Sequence, residues 1–134
     1  MSYHFEKLLG EDFNGNAPAT AEEIAAAERN LGRSLPNDFR EFLRVSNGGE
    51  GSIGENYVML WNTEELGEYN GSYQVNEYAP GLLLFGSDGG GEGYAFDTRT
   101  SPPPIVTVPF VGMALKYANP VAETFVAFLK KLGS

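Results

Sequence analysis

The sequence predicts an α+β fold with a mainly antiparallel sheet. Three observations carry that prediction. Helical spacing with start and stop signals runs through the first third of the chain. Short β-rich runs, punctuated by glycine and proline, follow from Tyr57 onward. An amphipathic helix closes the sequence.

Taken in order, Ser2 to Leu9 places Phe5, Leu8 and Leu9 at helical spacing, with Gly10 as the stop. Glu11 to Ala19 is rich in Asn, Gly and Pro and reads as loop. Thr20 and Glu23 form a capping box, in which each side chain bonds the other's backbone amide. The helix it opens carries Ile24, Ala27 and Leu31 on one face and ends at Gly32. Pro36 suits the first turn of the next helix, whose apolar stripe is Leu35, Phe39, Phe42 and Leu43. Asp38, Arg40, Glu41 and Arg44 fall on its outer side. Asn47, Gly48 and Gly49 are its expected terminators, because these residues tolerate the left-handed conformation.

Tyr57 to Trp61 reads as a strand, and Thr63 as the cap of a short turn or helix through Leu66. Gly67 to Pro80 is polar and gives no clear period. Leu82 to Phe85 and Gly93 to Asp97 read as strands joined by the turn Asp88 to Gly91, which makes a hairpin. Ile105 to Phe110 is a further strand ended by Pro109, and Met113 to Tyr117 another. Asn119 followed by Pro120 reads as the start of the last helix. Its apolar face is Val121, Phe125, Phe128, Leu129 and Leu132, with Lys130 and Lys131 in the last turn, where cations favour the helix dipole.

The chain of 134 residues, 42% of them apolar, suits one domain over 1–134 with a real core. With no cysteine, disulfides and thiolate metal sites are excluded. Met1 to Gly10 has no signal-peptide pattern, and no apolar run is long enough for a membrane helix. The sequon at Asn70 carries no weight without secretion, so the expected location is cytoplasmic. Nine Lys and Arg against 18 Asp and Glu give a net charge of −9. That disfavours nucleic acid and anionic membranes as partners, since both need a basic footprint. A basic protein partner is the complement of this charge, although solubility alone also explains it.

Gly49, Gly51 and Gly54 match G-x-G-x-x-G, but a helix precedes them and a strand follows. A dinucleotide fingerprint needs the opposite order. Gly86 to Gly93 has no Lys and no following helix, so it is no phosphate loop, and it lacks the calcium-loop series. Turn glycines explain it better. His4 is the only histidine and sits at the frayed N-terminus, which leaves neither a Ser-His-Asp triad nor an ordinary zinc site. No catalytic, cofactor or metal-binding residues are expected. Carboxylate pairs are too numerous among 18 acids to single one out. Trp61, Tyr57, Tyr69, Tyr73 and Tyr78 cluster mid-chain and fit either sheet packing or an aromatic interface.

Three segments together resemble one family. The first runs from Leu35-Pro36-Asn37-Asp38-Phe39 through Leu43 to Asn47-Gly48-Gly49. The second is Leu84 to Asp97, with Gly86, Asp88, Gly91, Tyr94 and Asp97. The third is Glu123-Thr124-Phe125-Val126-Ala127-Phe128-Leu129. Over about residues 20 to 132 they resemble the SUKH superfamily, specifically its Smi/Knr-like branch. Phe39, Phe85 and Thr124 stand where Tyr, Ile and Ser are common, and all three are expected to keep a packing role.

The resemblance implies N-terminal helices and a C-terminal helix packed on the antiparallel sheet. It implies structural roles for the motif positions and offers no catalytic residue. It also implies protein binding. Bacterial members are largely immunity proteins that neutralise a cognate polymorphic toxin, often a nuclease, and fungal relatives are scaffolds in cell-wall assembly signalling. The expected interface is Glu50, Glu55, Tyr57, Trp61, Glu64, Glu65, Glu68 and Tyr69, joined by the loop with Asp88 and Glu92. A regulatory or scaffold module is the alternative. A small-molecule-binding domain or enzyme ranks behind both. A homodimer through exposed strand edges is as compatible with the sequence as a monomer.

Overall fold

The computed structural model describes residues 3–134. The first helix, α1, spans Phe5–Leu9 and stops at Gly10, so it is shorter than the periodicity suggests; Ser2, its expected start, lies outside the described residues. α2 (Ala21–Leu31) has the expected capping box, with Thr20 Oγ1 accepting from Glu23 N and Glu23 Oε1 from Thr20 N, and it closes at Gly32. α3 is Asn37–Leu43, with Pro36 as its N-cap, one position earlier than expected.

Seven strands form one antiparallel sheet in chain order: β1 (Phe13–Gly15), β2 (Gly49–Ile53), β3 (Asn56–Leu60), β4 (Leu82–Ser87), β5 (Glu92–Asp97), β6 (Ile105–Pro109) and β7 (Asn119–Ala122). The α+β class and the antiparallel sheet are therefore as the sequence predicts. Between β3 and β4 lie α4 (Thr63–Ser72) and α5 (Val75–Tyr78), and α6 (Phe125–Leu132) ends the chain.

Five local expectations are corrected. Residues 13–15, expected as loop, pair with β2 because Gly49 and Gly51 let the two backbones close up: a Cβ on Gly51 would lie 2.9 Å from Phe13 Cα. α3 ends at Leu43 with Arg44 as its cap, so Asn47 to Gly49 do not terminate it. Leu115–Tyr117 is a 3-10 turn within the segment expected as a strand. Asn119 and Pro120 belong to the edge strand β7, where a proline forfeits little of the ladder. The cap of α6 is instead Thr124, whose Oγ1 accepts from Ala127 N at 3.0 Å, while Asp38 Oδ2 takes Val126 N at 3.0 Å. Thr124 thus caps rather than packs, and Val121 lies in the strand.

The core is centred on phenylalanine. Phe39 and Phe42 of α3, Phe85 of β4, Phe96 of β5 and Phe125 and Phe128 of α6 are all 0% exposed. Phe39 sits 5.4 Å from Phe96 and 5.0 Å from Phe125, ring centre to ring centre. Each such burial contributes roughly 1.5–3 kcal/mol, so these rings hold both helices onto the sheet. Leu35, Leu43 and Leu129 are buried in the same core, and Tyr94 packs against Phe128 at 4.7 Å.

Candidate partner-binding surface

The sheet has a seam. β3 and β4 pair only at Met59↔Ser87 and Leu60↔Gly86, after which β3 leaves. Gly86 is the motif glycine at that crossing, where a Cβ would run into the Met59 carbonyl. Beyond the seam, Asn70 of α4 takes the place of a strand. Its Nδ2 donates to Leu84 O at 2.9 Å, and its Oδ1 accepts from Leu84 N at 2.9 Å. Those backbone groups would otherwise be unpaired next to the core, at a cost of about 1–3 kcal/mol.

The start of α4 is fixed as firmly. Asn62, not Thr63, is the cap: its Oδ1 accepts from Glu64 N and Glu65 N, and Glu65 Oε1 accepts from Asn62 N at 2.9 Å. The helix runs on to Ser72, well past the expected end at Leu66. Asn47 ties this junction to the connector from α3, with Oδ1 accepting from Thr63 N at 2.9 Å. Gly48, at φ 76°, presses on the same junction, since a Cβ would meet Leu60 O at 2.6 Å and Asn62 N at 2.8 Å. The Asn47-Gly48 motif is therefore a backbone contact that seats α4.

A groove of about 300 Å³ lies between the β1–β3 strands and α4, lined by Asn14, Gly15, Asn16, Gly49, Glu50, Met59, Leu60, Trp61, Asn62, Glu65 and Tyr69. Strand register explains part of it. Asn14, Glu50 and Met59 are cross-strand partners, so their side chains share one face. Opposite, the Trp61 and Tyr69 rings pack at 4.6 Å. The aromatic row continues through Tyr73, 6.4 Å from Tyr69, to Phe110, which stacks on Tyr73 at 4.5 Å.

The structure thus brings four of the expected interface residues together: Glu50, Trp61, Glu65 and Tyr69. Tyr57 adjoins them, because its hydroxyl donates to Glu50 Oε2. That bond, with burial and the Glu50 charge, holds the Tyr57 phenol above its ordinary pKa. Tyr57 also reaches the β4–β5 loop: a Cβ on Gly89 would be 2.8 Å from its ring. In that loop the Asp88 carboxylate accepts from Gly90 N and Glu92 N, so it builds the turn, while Gly91 stands open. The Tyr69 phenol is raised first by Glu65, then by burial and by Glu68.

Two expected residues lie apart. Glu55 is in the β2–β3 turn at the other end of the hairpin, beside the C-terminus, where Asn56 Nδ2 donates to Leu132 O. Glu64 lines a separate hollow with Ala27 and Asn30 of α2. Asn14 and Asn16 are groove residues the sequence does not predict, because β1 reads as loop; Met59 lies in the expected strand, and only its register against Glu50 places it in the groove. One sequence signal would have found the region. Residues 45–98 contain nine Asp and Glu and no Lys, Arg or His, while the rest of the chain carries nine acids and nine Lys and Arg. The whole net charge therefore belongs to the segment that builds β2 to β5 and α4.

Among the described residues, no group of three or more His, Asp or Glu side chains could hold a metal ion, and no helix is long and apolar enough to cross a membrane. A family model described as the SMI1 / KNR4 family (SUKH-1) matches residues 18–131. The "Uncharacterized protein YnaB" of Bacillus subtilis (strain 168) is 35% identical over 89 residues, which is 66% of this chain. The match spans 57% of that relative's length.

Proposed function

The chain belongs to the SMI1 / KNR4 family (SUKH-1), and from that premise we propose that it works by binding another protein rather than by catalysis. The finer reading is an immunity protein that neutralises a cognate toxin by stoichiometric binding. The observation that carries it is the segregation of charge: all of the net −9 falls in residues 45–98, which also supply most of the lining of the aromatic groove. A nuclease must attract phosphate and is therefore basic, so such a face is its electrostatic complement. Aromatic side chains are enriched at recognition surfaces, and the carboxylates beside them supply the charge that a basic partner complements.

The test is capture of partners from extract of the protein's own organism, using the intact chain as bait. Recovery of a toxin C-terminal domain, stoichiometric and lost at high salt, is the expected result. Recovery of signalling or envelope-assembly proteins without a toxin would move the reading to a scaffold. Within a captured complex, Glu50→Lys with Glu68→Lys should slow association by about tenfold and flatten its salt dependence. Both residues are exposed, and Glu65 is spared because it caps α4. An unchanged association rate would remove this face from the interface.

A further inference from the structure

We propose that the groove between β1–β3 and α4 is a receptor for a single arginine side chain presented by the protein partner. The inference rests on the protein-binding reading above and names the chemistry of the contact. About 300 Å³ is room for one long side chain rather than a folded segment. Its two carboxylates, Glu50 and Glu65, have no cation of this chain lining the groove with them.

Both carboxylates are already oriented. Glu50 Oε2 takes the Tyr57 hydroxyl, and Glu65 Oε1 takes Asn62 N. Among the described residues, neither Glu50 Oε1 nor Glu65 Oε2 accepts a further hydrogen bond. Each acid therefore offers one directed acceptor without reordering its side chain, which lowers the entropic cost of binding. The remaining wall is aromatic: the half-buried Tyr69 ring offers its surface, and Trp61, 5% exposed, packs against it at 4.6 Å. A guanidinium is planar and weakly hydrated, stacks on aromatic faces and forks toward two acceptors. An ammonium is a compact, strongly hydrated charge and matches this wall less well.

Trp61 is the chain's one tryptophan, so its fluorescence reports groove occupancy directly. The probe is the tripeptide acetyl-Gly-Arg-Gly-amide at low salt, followed by Trp61 emission and by backbone amide NMR. The citrulline tripeptide keeps the shape without the charge, and the lysine tripeptide keeps the charge without the plane. The expected result is saturable binding, with shifts confined to the groove around Asn14, Gly49, Glu65 and Tyr69. The citrulline and lysine peptides should bind at least about fivefold more weakly. The double variant Glu50→Gln/Glu65→Gln should lose at least about fivefold; glutamine keeps an acceptor for Tyr57 and Asn62, so the fold is retained. Shifts scattered over distant acids such as Glu22 and Glu77 would overturn the proposal, as would equal binding of the citrulline or lysine peptide. The peptide test needs no partner. A captured toxin with a groove that ignores arginine sinks only this inference, and arginine binding without a captured partner sinks only the reading it rests on.

Discussion

Phe39, Phe42, Phe85, Phe96, Phe125 and Phe128 meet in a fully buried cluster, while Tyr69, Tyr73 and Phe110 form a row along α4 that stays partly open, with Trp61, itself buried, at its inner end. Ring geometry is similar in the two, with centroids 4.5 Å apart both in Phe85–Phe96 and in Tyr73–Phe110. The surroundings differ. The first cluster has aliphatic neighbours from three helices and the sheet, and the second has Glu65 and Glu68 beside it. Phenylalanine suits a place where nothing polar needs a partner. Tyrosine and tryptophan suit a boundary, since they bury a ring and keep a polar handle wet. One cluster holds the fold together, and the other presents it.

The largest effect should come from the closed cluster. Phe39→Ala removes a ring that contacts Phe42, Phe85, Phe96 and Phe125 in a site that cannot collapse around it. Loss of about 3–5 kcal/mol in denaturant unfolding is expected. Next comes Asn70→Ala, which orphans the Leu84 N–H and carbonyl and should cost about 1–3 kcal/mol. Tyr73→Ala, in the open row, should cost about 1 kcal/mol or less, because the residue is 36% exposed. If Tyr73→Ala proved as costly as Phe39→Ala, the two clusters would be one core and the contrast would fail.

The closed cluster was legible in the sequence, because helical spacing marks Phe39, Phe42, Phe125 and Phe128 and a run of apolar residues marks Phe85. The capping box at Thr20 was legible for the same reason: it is local. The open side was not. Its strands β1 and β2 contain Gly15, Gly49 and Gly51, which read as turn residues until the opposite backbone that needs them is known. Asn119-Pro120 carries a helix-start signal that the ladder to β6 overrides. Glu50 and Glu65 could be chosen as acids from composition, but only strand register and the Asn62 cap bring them to one groove. Nothing in a single local window separates them from Glu55 and Glu64.

The smallest effect concerns Asp97, the motif residue at the end of β5. Arg99 holds it in place, with Nε donating to Oδ1 and Nη2 to Oδ2, both at 2.9 Å. The Arg99 hydrogen bonds hold the Asp97 carboxyl below its ordinary pKa, against an opposing push from burial. A carboxylate with a depressed folded-state pKa stabilises the fold above its unfolded value, about 3.9. That stabilisation disappears as pH falls through the lower folded value. Asp97→Asn should therefore be less stable than the parent at pH 6–7, and the difference should shrink below about pH 4 and vanish once the parent's Asp97 is protonated. Urea unfolding of both proteins across pH 2–7 checks this. A gap that persists unchanged at pH 2 would mean that Asp97 acts through packing and its hold on the Arg99 backbone, not through its charge. The half-exposed guanidinium limits the size of the effect, because solvent screens such pairs. It should leave the groove untouched, so an Asp97→Asn protein that lost partner binding would show that the β5–β6 end of the sheet, and not the acidic aromatic row alone, meets the partner.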